Sequence, residues 1–459
     1  MMMNIEIFRQ YDIRGHADRD LTDETVRYIG QAFGTYVQDC GSNRVLVGRD
    51  NRLSSERLHK VLLEGLLDSG CQVVDIGLVV TPILYFAREH FQIDGGVMIT
   101  GSHNPPQDNG FKLACGPGTI YGEDIQRLKN MIIAKKFKSG SGTLKVKDAS
   151  EPFLNMLAEK IKLGPRTLKV AVDCGNGTAS LFAEKILKTW GCDVIPLYCE
   201  SDGTFPNHHP DPVKTTNLAD LKKAVLKKKA DLGVAYDGDA DRIGVIDDQG
   251  DVVWGDKLMC LFWQEILSKN PGELAIVEVK CSQALVDVIK RLGGKPVFYK
   301  TGHSLIKAKM KETGAIFTGE MSGHMFFADE YYGYDDAFYA TGRLLRILSN
   351  TEKPLSQLLA TIPHYYSTAE TRIPCPEQEK FAVVAGLAEH FRQKHEIIDV
   401  DGVRVLFPEG WGLVRASNTQ PVLVARCEAK TPKGLEKICT IIKNAVRQYK
   451  EVGDFEWEH

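Results

Sequence analysis

Short β-branched runs, each ending in a polar, glycine-containing loop and followed by residues apolar at helical spacing, recur along the chain. The clearest are RVLVGRD (44–50), LKVAVDCGNG (168–177), LGVAYDGDADR (232–242) and LAIVEVKCSQ (274–283). Buried strands of this length alternating with helices predict α/β units with parallel or mixed sheets. Ligands then gather at the strand ends. A further apolar run, Gly95 to Ile99, reads as a buried strand, and Asn104-Pro105-Pro106 ends any regular element after it, because proline lacks the backbone donor. That stiff loop predicts an exposed Ser102 at its tip and Lys112 in the turn beyond. Past Pro363 the pattern changes. FAVVAGLAEHFRQ (381–393) and LEKICTIIKNAVRQYK (435–450) are apolar at helical spacing and flank the strand-like GWGLVRAS and PVLVARCEA. Two helices on a few antiparallel strands predict a small α+β domain.

At 459 residues the chain exceeds what one core usually serves, and about 150 residues per domain predicts roughly three domains. KFKSGSGTLK (136–145), the DDQGD turn and Pro363 mark breaks. Lys plus Arg number 57 against 60 Asp plus Glu, a net charge of -3, so no global field attracts nucleic acid or an anionic membrane. No run approaches the roughly 18 apolar residues of a membrane span, and MMMNIEIFRQYDIRG lacks a signal-peptide core. Eleven cysteines without a CxxC read as reduced thiols. The expected setting is cytoplasmic.

Four loops carry candidate chemistry. In TGSHNPPQDNGFK (100–112), Ser102 has His103 beside it and Lys112 nearby, which suits a nucleophile or a phosphate carrier. Asp237, Asp239 and Asp241 alternate with Gly238 and Ala240, so in an extended loop three carboxylates point to one side. A solvated acidic hairpin has the same composition. Three unpartnered like charges repel, however, and an all-oxygen Mg²⁺ site accounts for them better. An EF-hand is excluded because Arg242 stands where its glycine is needed and the flanks read as strands. Arg415-Ala-Ser-Asn-Thr419 offers a guanidinium fork, hydroxyls, an amide and turn N–H groups, the makings of a phosphate cradle. Glu320 and Ser322 fall on one side of an extended loop, and a carboxylate there accepts from two neighbouring sugar hydroxyls. A dinucleotide fingerprint, a P-loop and a GxSxG elbow are all missing.

YDIRG, GRDNRLSS, TGSHNPPQDNGFK, FPNHHPDP, DGDADR, KTGHSLIK, GEMSGH and RASNTQP occur in that order. Together they resemble the α-D-phosphohexomutase family, and within it the phosphomannomutase/phosphoglucomutase branch. The resemblance implies an α/β protein of four domains around a central cleft. Three are related α/β domains with mixed sheets (1–149, 150–252, 253–364), followed by a C-terminal α+β domain like the TATA-binding protein (365–459). It implies that Ser102 is the phosphoserine, that Asp237, Asp239, Asp241 and the seryl group hold Mg²⁺, and that Arg242 lies beside the transferred group. Arg14, His103, Lys112 and His324 become charge-stabilising and proton-handling residues. Tyr11, Lys280 and His303 line the cleft, Glu320 and Ser322 read sugar hydroxyls, and Arg415, Ser417, Asn418 and Thr419 clamp the non-reacting phosphate.

The implied activity is a reversible shift of a phosphoryl group between the 1- and 6-positions of mannose or glucose phosphates, through bound glucose 1,6-bisphosphate. Met321 marks the glucose/mannose branch rather than the glucosamine one, and Ala240 stands where glycine is usual, a methyl expected to be tolerated. A phosphoglucosamine-type mutase and a metal-dependent sugar phosphatase are the alternatives. A sugar-phosphate sensor without chemistry is disfavoured, because the serine, the aspartates and the basic residues occur together. The expected partners are small hexose phosphates, with neither nucleic acid nor membrane, and the expected state is a monomer or weak homodimer.

Overall fold

The computed structural model describes residues 3–418 and 420–458. Gly95 to Ile99 is buried at every position, as a strand covered on both faces must be. It is β4 of a seven-stranded sheet made of β1 (Ile13–His16), β2 (Arg44–Arg49), β3 (Gln72–Leu78), β4 (Gly95–Ile99), β5 (Asp108–Cys115), β6 (Gly118–Thr119) and β7 (Thr143–Val146). The order is β1-β5-β4-β2-β3-β7, with β6 beside β5. β2 runs parallel to β3 and β4, whereas β5 is antiparallel to both β4 and β1. Helices Asp23–Asp39 and Ser55–Asp68 bring Val26, Ile29, Phe33, Leu58, Leu62 and Leu66 into one core with Val45, Val47, Val97 and Phe111. Thr22 caps the first of them, its hydroxyl accepting from Thr25 N at 3.3 Å.

Lys112 departs from its expected turn. It lies within β5, opposite Met98 of β4. The strand starts early because the buried Asn109 amide donates to Ser54 and Ser55, and because β1 and β4 both offer it backbone partners.

A second sheet has the order β12-β11-β10-β8-β9. Its strands are β8 (Lys169–Asp173), β9 (Asp193–Leu197), β10 (Leu232–Tyr236), β11 (Ile243–Ile246) and β12 (Val252–Val253). β8 pairs parallel with β9 and β10, and β10 turns back antiparallel into β11 through residues 237–242. The aspartates therefore sit on a hairpin at strand ends. β13 (Leu274–Glu278) and β14 (Lys295–Tyr299) pair parallel, and the short β15 (Phe317–Gly319) and β16 (Met325–Phe327) follow.

The C-terminal sheet, β17 (Tyr366–Ser367), β18 (Thr371–Pro374), β19 (Ile397–Ile398), β20 (Val403–Phe407), β21 (Gly410–Ala416) and β22 (Val422–Ala429), is antiparallel throughout. Val403, Val405, Val414, Leu423, Ala425 and Cys427 point to one face and meet Leu387, Ile438 and Ile442 of helices Lys380–Arg392 and Pro432–Val446. This is the expected α+β domain. The chain gathers into two compact units, one of residues 1–255, 307–312 and 322–358, the other of 256–306, 313–321 and 359–459. Among the described residues no helix is long and apolar enough to cross a membrane. The cysteines are all free thiols, as their spacing led one to expect.

Asp336 caps helix Ala337–Ser349, with Oδ1 accepting from Tyr339 N at 3.0 Å and Oδ2 from the Tyr331 hydroxyl at 2.6 Å. Burial outweighs these bonds and raises its pKa to about 7. A folded pKa above the unfolded value, about 3.9, means the folded state binds the extra proton. The stability contributed by Asp336 therefore falls as pH rises from about 4 to about 7 and is flat above. Asp336→Asn keeps an acceptor for Tyr339 N and removes the titration. In thermal melts the Asp336→Asn substitution should raise the melting temperature more at pH 8 than at pH 4; an equal change at both would contradict the assignment.

Candidate active site

Ser102 lies in the loop between β4 and β5 with φ +49°, a left-handed conformation that non-glycine residues adopt at a cost. Arg52 holds it there. Its buried guanidinium donates to the carbonyls of Ser102 (2.7 Å), Asn104 (2.7 Å), Pro105 (2.6 Å) and Asp108 (3.0 Å). Asp50 supports this clamp, accepting from Gly101 N at 3.2 Å and lying 3.3 Å from Arg52 Nε. The expectation of an exposed serine is wrong: Ser102 is 2% exposed. Its Oγ donates to Asp237 Oδ2 at 2.8 Å, His103 Nδ1 lies 3.0 Å away, and the Gly238 backbone presses on the Ser102 carbonyl. A Cβ on Gly238 would sit 2.4 Å from that carbonyl oxygen, so only glycine allows the approach. The serine loop is covered by the loop it serves.

Asp237, Asp239 and Asp241 are fully buried, each offering a carboxylate oxygen within 4.8 Å of the others. Asp237 Oδ1 accepts from Asp241 N and Arg242 N, both at 3.1 Å. Lys112 Nζ donates to Asp239 Oδ2 at 2.6 Å and also to Asp241 Oδ2, while Thr81 Oγ1 donates to Asp239 Oδ2 at 2.5 Å. The remaining oxygens, Asp239 Oδ1 and Asp241 Oδ1, are buried without a hydrogen-bond partner. Burial, then the two neighbouring carboxylates, push the Asp237 pKa well up. Unsatisfied buried anionic oxygens in an all-oxygen set are the signature of a hard cation's site, and these residues fit one. Ala240 adopts φ +57°, so its methyl is accommodated at a backbone cost that glycine there would not incur.

Around this cluster stand cations. Burial opposes the charge on Lys112, but Asp239 and Asp241 outweigh it and raise its pKa well above the ordinary value. Bonded to both carboxylates, Lys112 holds its positive charge against the cluster. His103 is held neutral, its pKa driven down by burial and then by Arg242, Arg14, His324 and Lys112. Arg14 donates to Asn104 Oδ1 at 2.8 Å and pairs with Asp12 at 2.6 Å, which ties β1 to the serine loop. Tyr11, in the bend before β1, is half-buried.

Arg242 Nε donates to His324 Nε2 at 2.9 Å. Arginine only donates, so that nitrogen carries no proton and a neutral ring bears it on Nδ1. Nδ1 faces Asp335 Oδ2 at 3.0 Å and Asp241 Oδ1 at 3.7 Å. Asp241, His324 and Asp335 could geometrically surround a metal ion, but ligation through Nδ1 would require the ring to lose both protons. Asp335 pairs in turn with Lys307 at 2.9 Å, and Lys307 reaches the Tyr85 hydroxyl at 3.1 Å. Sequence reasoning missed Asp335 and Lys307. In YDDAF the two aspartates read alike as helix-start residues, and only the fold separates the cap, Asp336, from the histidine's neighbour.

The second unit holds the other expected residues. Lys280 follows β13 and pairs with Glu370 at 2.6 Å and Glu278 at 3.7 Å. Glu320 Oε1 accepts from Gly302 N at 2.6 Å, next to His303, the first residue of helix His303–Thr313. Glu278 accepts from the Thr301 hydroxyl at 2.5 Å, and Asp401 accepts from Thr301 N and Arg415 Nε, both at 3.0 Å. Lys280, His303, Glu320 and Arg415 thus belong to one stretch of linked loops. Ser417 is buried, its carbonyl accepting from Lys380 at 2.5 Å, and Asn418 is half-buried. Ser322 lies in the turn before β16, within the first unit, and Thr419 falls outside the described residues.

The chain matches family models described as phosphoglucomutase/phosphomannomutase, alpha/beta/alpha domains I, II and III, over residues 6–139, 151–250 and 254–366. The model of the C-terminal domain of the same family matches residues 370–445. A phosphomannomutase/phosphoglucomutase of Pseudomonas aeruginosa is 47% identical over 442 residues, 96% of this chain and 95% of the relative. A phosphoglucomutase of Neisseria gonorrhoeae is 44% identical, covering 94% of this chain and 95% of the relative. The crystal structure of a phosphoglucomutase/phosphomannomutase family protein from Burkholderia thailandensis superposes with a TM-score of 0.92 at 40% identity, over 97% of this chain and 98% of that one.

If the two orphaned oxygens await a cation, a divalent ion should stabilise the fold by mass action. Mg²⁺ at about 100 times its Kd should add about 2.7 kcal/mol, seen as a higher melting temperature, and Asp239→Asn should lose most of that shift. A Mg²⁺-independent melt of the unaltered chain would contradict the site.

Proposed function

The chain belongs to the phosphoglucomutase/phosphomannomutase family, and we propose that it moves a phosphoryl group reversibly between the 1- and 6-positions of glucose and mannose phosphates. Ser102 is the carrier. One observation carries this reading: the Ser102 hydroxyl lies 2.8 Å from Asp237, inside a cluster of three buried carboxylates, with Lys112 bonded to two of them. Three carboxylates alone would repel a seryl phosphate, but with a divalent cation among them and Lys112 beside them the cluster suits one.

In the cycle, phosphoserine 102 gives its group to the free hydroxyl of a sugar 1- or 6-phosphate. Bound 1,6-bisphosphate results, turns over, and returns its other phosphate to Ser102. Asp237, Asp239 and Asp241 would hold Mg²⁺, which supplies electrostatic stabilisation of charge growing on the transferred oxygens. Lys112 keeps Asp239 and Asp241 oriented and adds positive charge, and Arg242, aligned by His324, faces the same group. With Lys112 held charged and His324 Nε2 occupied by Arg242, both side chains support charge placement over proton transfer. His103, neutral and 3.0 Å from Ser102 Oγ, is placed to orient that hydroxyl, and its lowered pKa makes it a weak acceptor for the serine's proton.

Recognition falls to the second unit. Glu320 would accept from two adjacent sugar hydroxyls and leave the 2-hydroxyl unread, which admits both glucose and mannose. Arg415, Ser417, Asn418 and Thr419 would clamp the phosphate that is not reacting, with Lys280 and His303 beside them. A hydroxyl reader indifferent to exchange of the sugar's two ends is what a turning bisphosphate needs. The division into domains at 149, 252 and 364 belongs to the same reading.

Intact mass spectrometry after glucose 1,6-bisphosphate should find one added phosphoryl group, and none on Ser102→Ala. A gain that persists in that variant would move the carrier elsewhere. Glu320→Ala should lower turnover on both sugar 1-phosphates in a coupled assay; an unchanged rate would remove Glu320 from the sugar site.

A further inference from the structure

Successive residues of a strand point to opposite faces. In β22, Leu423, Ala425 and Cys427 face the helices, so Arg426 and Glu428 face the other way. In β20 and β21 the same alternation puts Arg404, Trp411 and Leu413 on that second face. A face carrying two arginines and a glutamate ought to meet water. Instead Arg404, Arg426 and Glu428 are buried, at 0%, 6% and 1% exposure. What covers them is the segment that follows β13.

Backbone groups from Val279 to Gln283 are bonded by side chains of the sheet and of Asp256. Arg404 Nη1 donates to Val279 O at 2.7 Å and Cys281 O at 2.8 Å, and Arg426 Nη1 donates to Lys280 O at 2.5 Å. Asp256 accepts from Ser282 N and Glu428 from Gln283 N, at 2.9 and 2.8 Å. Trp411 stacks under Arg404 at 3.7 Å and donates to Glu428 at 2.8 Å. Arg426 also meets the Met321 thioether, next to Glu320. Three consecutive carbonyls centred on Lys280 are thus taken by two guanidinium groups of the C-terminal sheet. Each guanidinium does this through Nη1, whose two hydrogens let Arg404 bridge two carbonyls while Trp411 covers its plane.

We propose that Arg426, with Arg404, is a positioning residue for substrate binding: the sheet that bears Arg415 also fixes where the Lys280 ammonium stands. This rests on the reading above, in which Lys280 binds the sugar phosphate. It predicts that the two arginines act through Lys280, whereas structural glue would act through stability alone. Lysine in place of Arg426 keeps the charge but is shorter and not planar, so its ammonium no longer sits where Nη1 meets the Lys280 carbonyl, which is left buried and poorly satisfied.

The experiment is a double-mutant cycle on glucose 1-phosphate affinity by calorimetry, with turnover measured at saturation. Arg426→Lys should weaken Kd on the order of tenfold, with kcat within about twofold. In a Lys280→Ala background the same change should add less than about twofold, because interacting sites are not additive. Val383→Ala, in the helix-facing core of the same sheet, serves as a stability control and should leave Kd unchanged at a comparable loss of melting temperature. Should Arg426→Lys fail to fold, Arg404→Lys takes its place in the cycle. An unchanged Kd, an equal tenfold loss in the Lys280→Ala background, or an equal loss in Val383→Ala would overturn the proposal. A wild-type protein that binds glucose 1-phosphate without converting it would instead overturn the mutase reading.

Discussion

Three carboxylates buried within reach of one another are the constraint to which the rest of the first unit answers. At the separations found here their mutual repulsion in a low-dielectric interior is large, and two responses are built into the chain. One belongs to the fold itself: Lys112, projected from β5, spends its charge on Asp239 and Asp241. The other is left open, in the two oxygens to which no group of the protein donates. The surrounding elements then make sense as a frame. Arg52 clamps the serine loop, Gly238 lets the aspartate hairpin touch it, and Thr81 ties the hairpin to the first sheet.

The second unit solves a different problem, how to keep the buried Lys280, Arg415 and Glu320 satisfied. It does so with shared acceptors. Glu278 joins Thr301 and Lys280, Asp401 joins Thr301 and Arg415, and Glu370 neutralises Lys280. Lys280 and Arg415 are therefore fixed by neighbours that are themselves paired, which would lower the cost of ordering them in the proposed sugar-phosphate site.

Much of this was legible in the chain. Apolar, β-branched runs located β2, β4, β8, β10 and β13, the helical spacing after 380 located the C-terminal helices, and the alternating aspartates announced a carboxylate cluster. Other features were not, for physical reasons. Burial of Ser102 depends on Asp237, 135 positions away, so no local pattern reports it. Asn104-Pro105-Pro106 does break the backbone, but a broken backbone is not an exposed one. Lys112 looked like a turn residue because its strand contains Asn109 and Gly110, and their place in β5 is secured by side-chain bonds to Ser54 and Ser55. Arg404 and Arg426 obey the alternation of their strands; the sequence does not say that a second layer covers their face.

The central claim is that the serine and the aspartate hairpin share one divalent ion. Anomalous diffraction from crystals of the phosphorylated protein, with Mn²⁺ standing in for Mg²⁺, tests it most directly. The account predicts a single strong peak about 2.1 Å from one oxygen each of Asp237, Asp239, Asp241 and the seryl phosphate. A peak on Asp335 and His324 instead, or none within reach of Ser102, would contradict it.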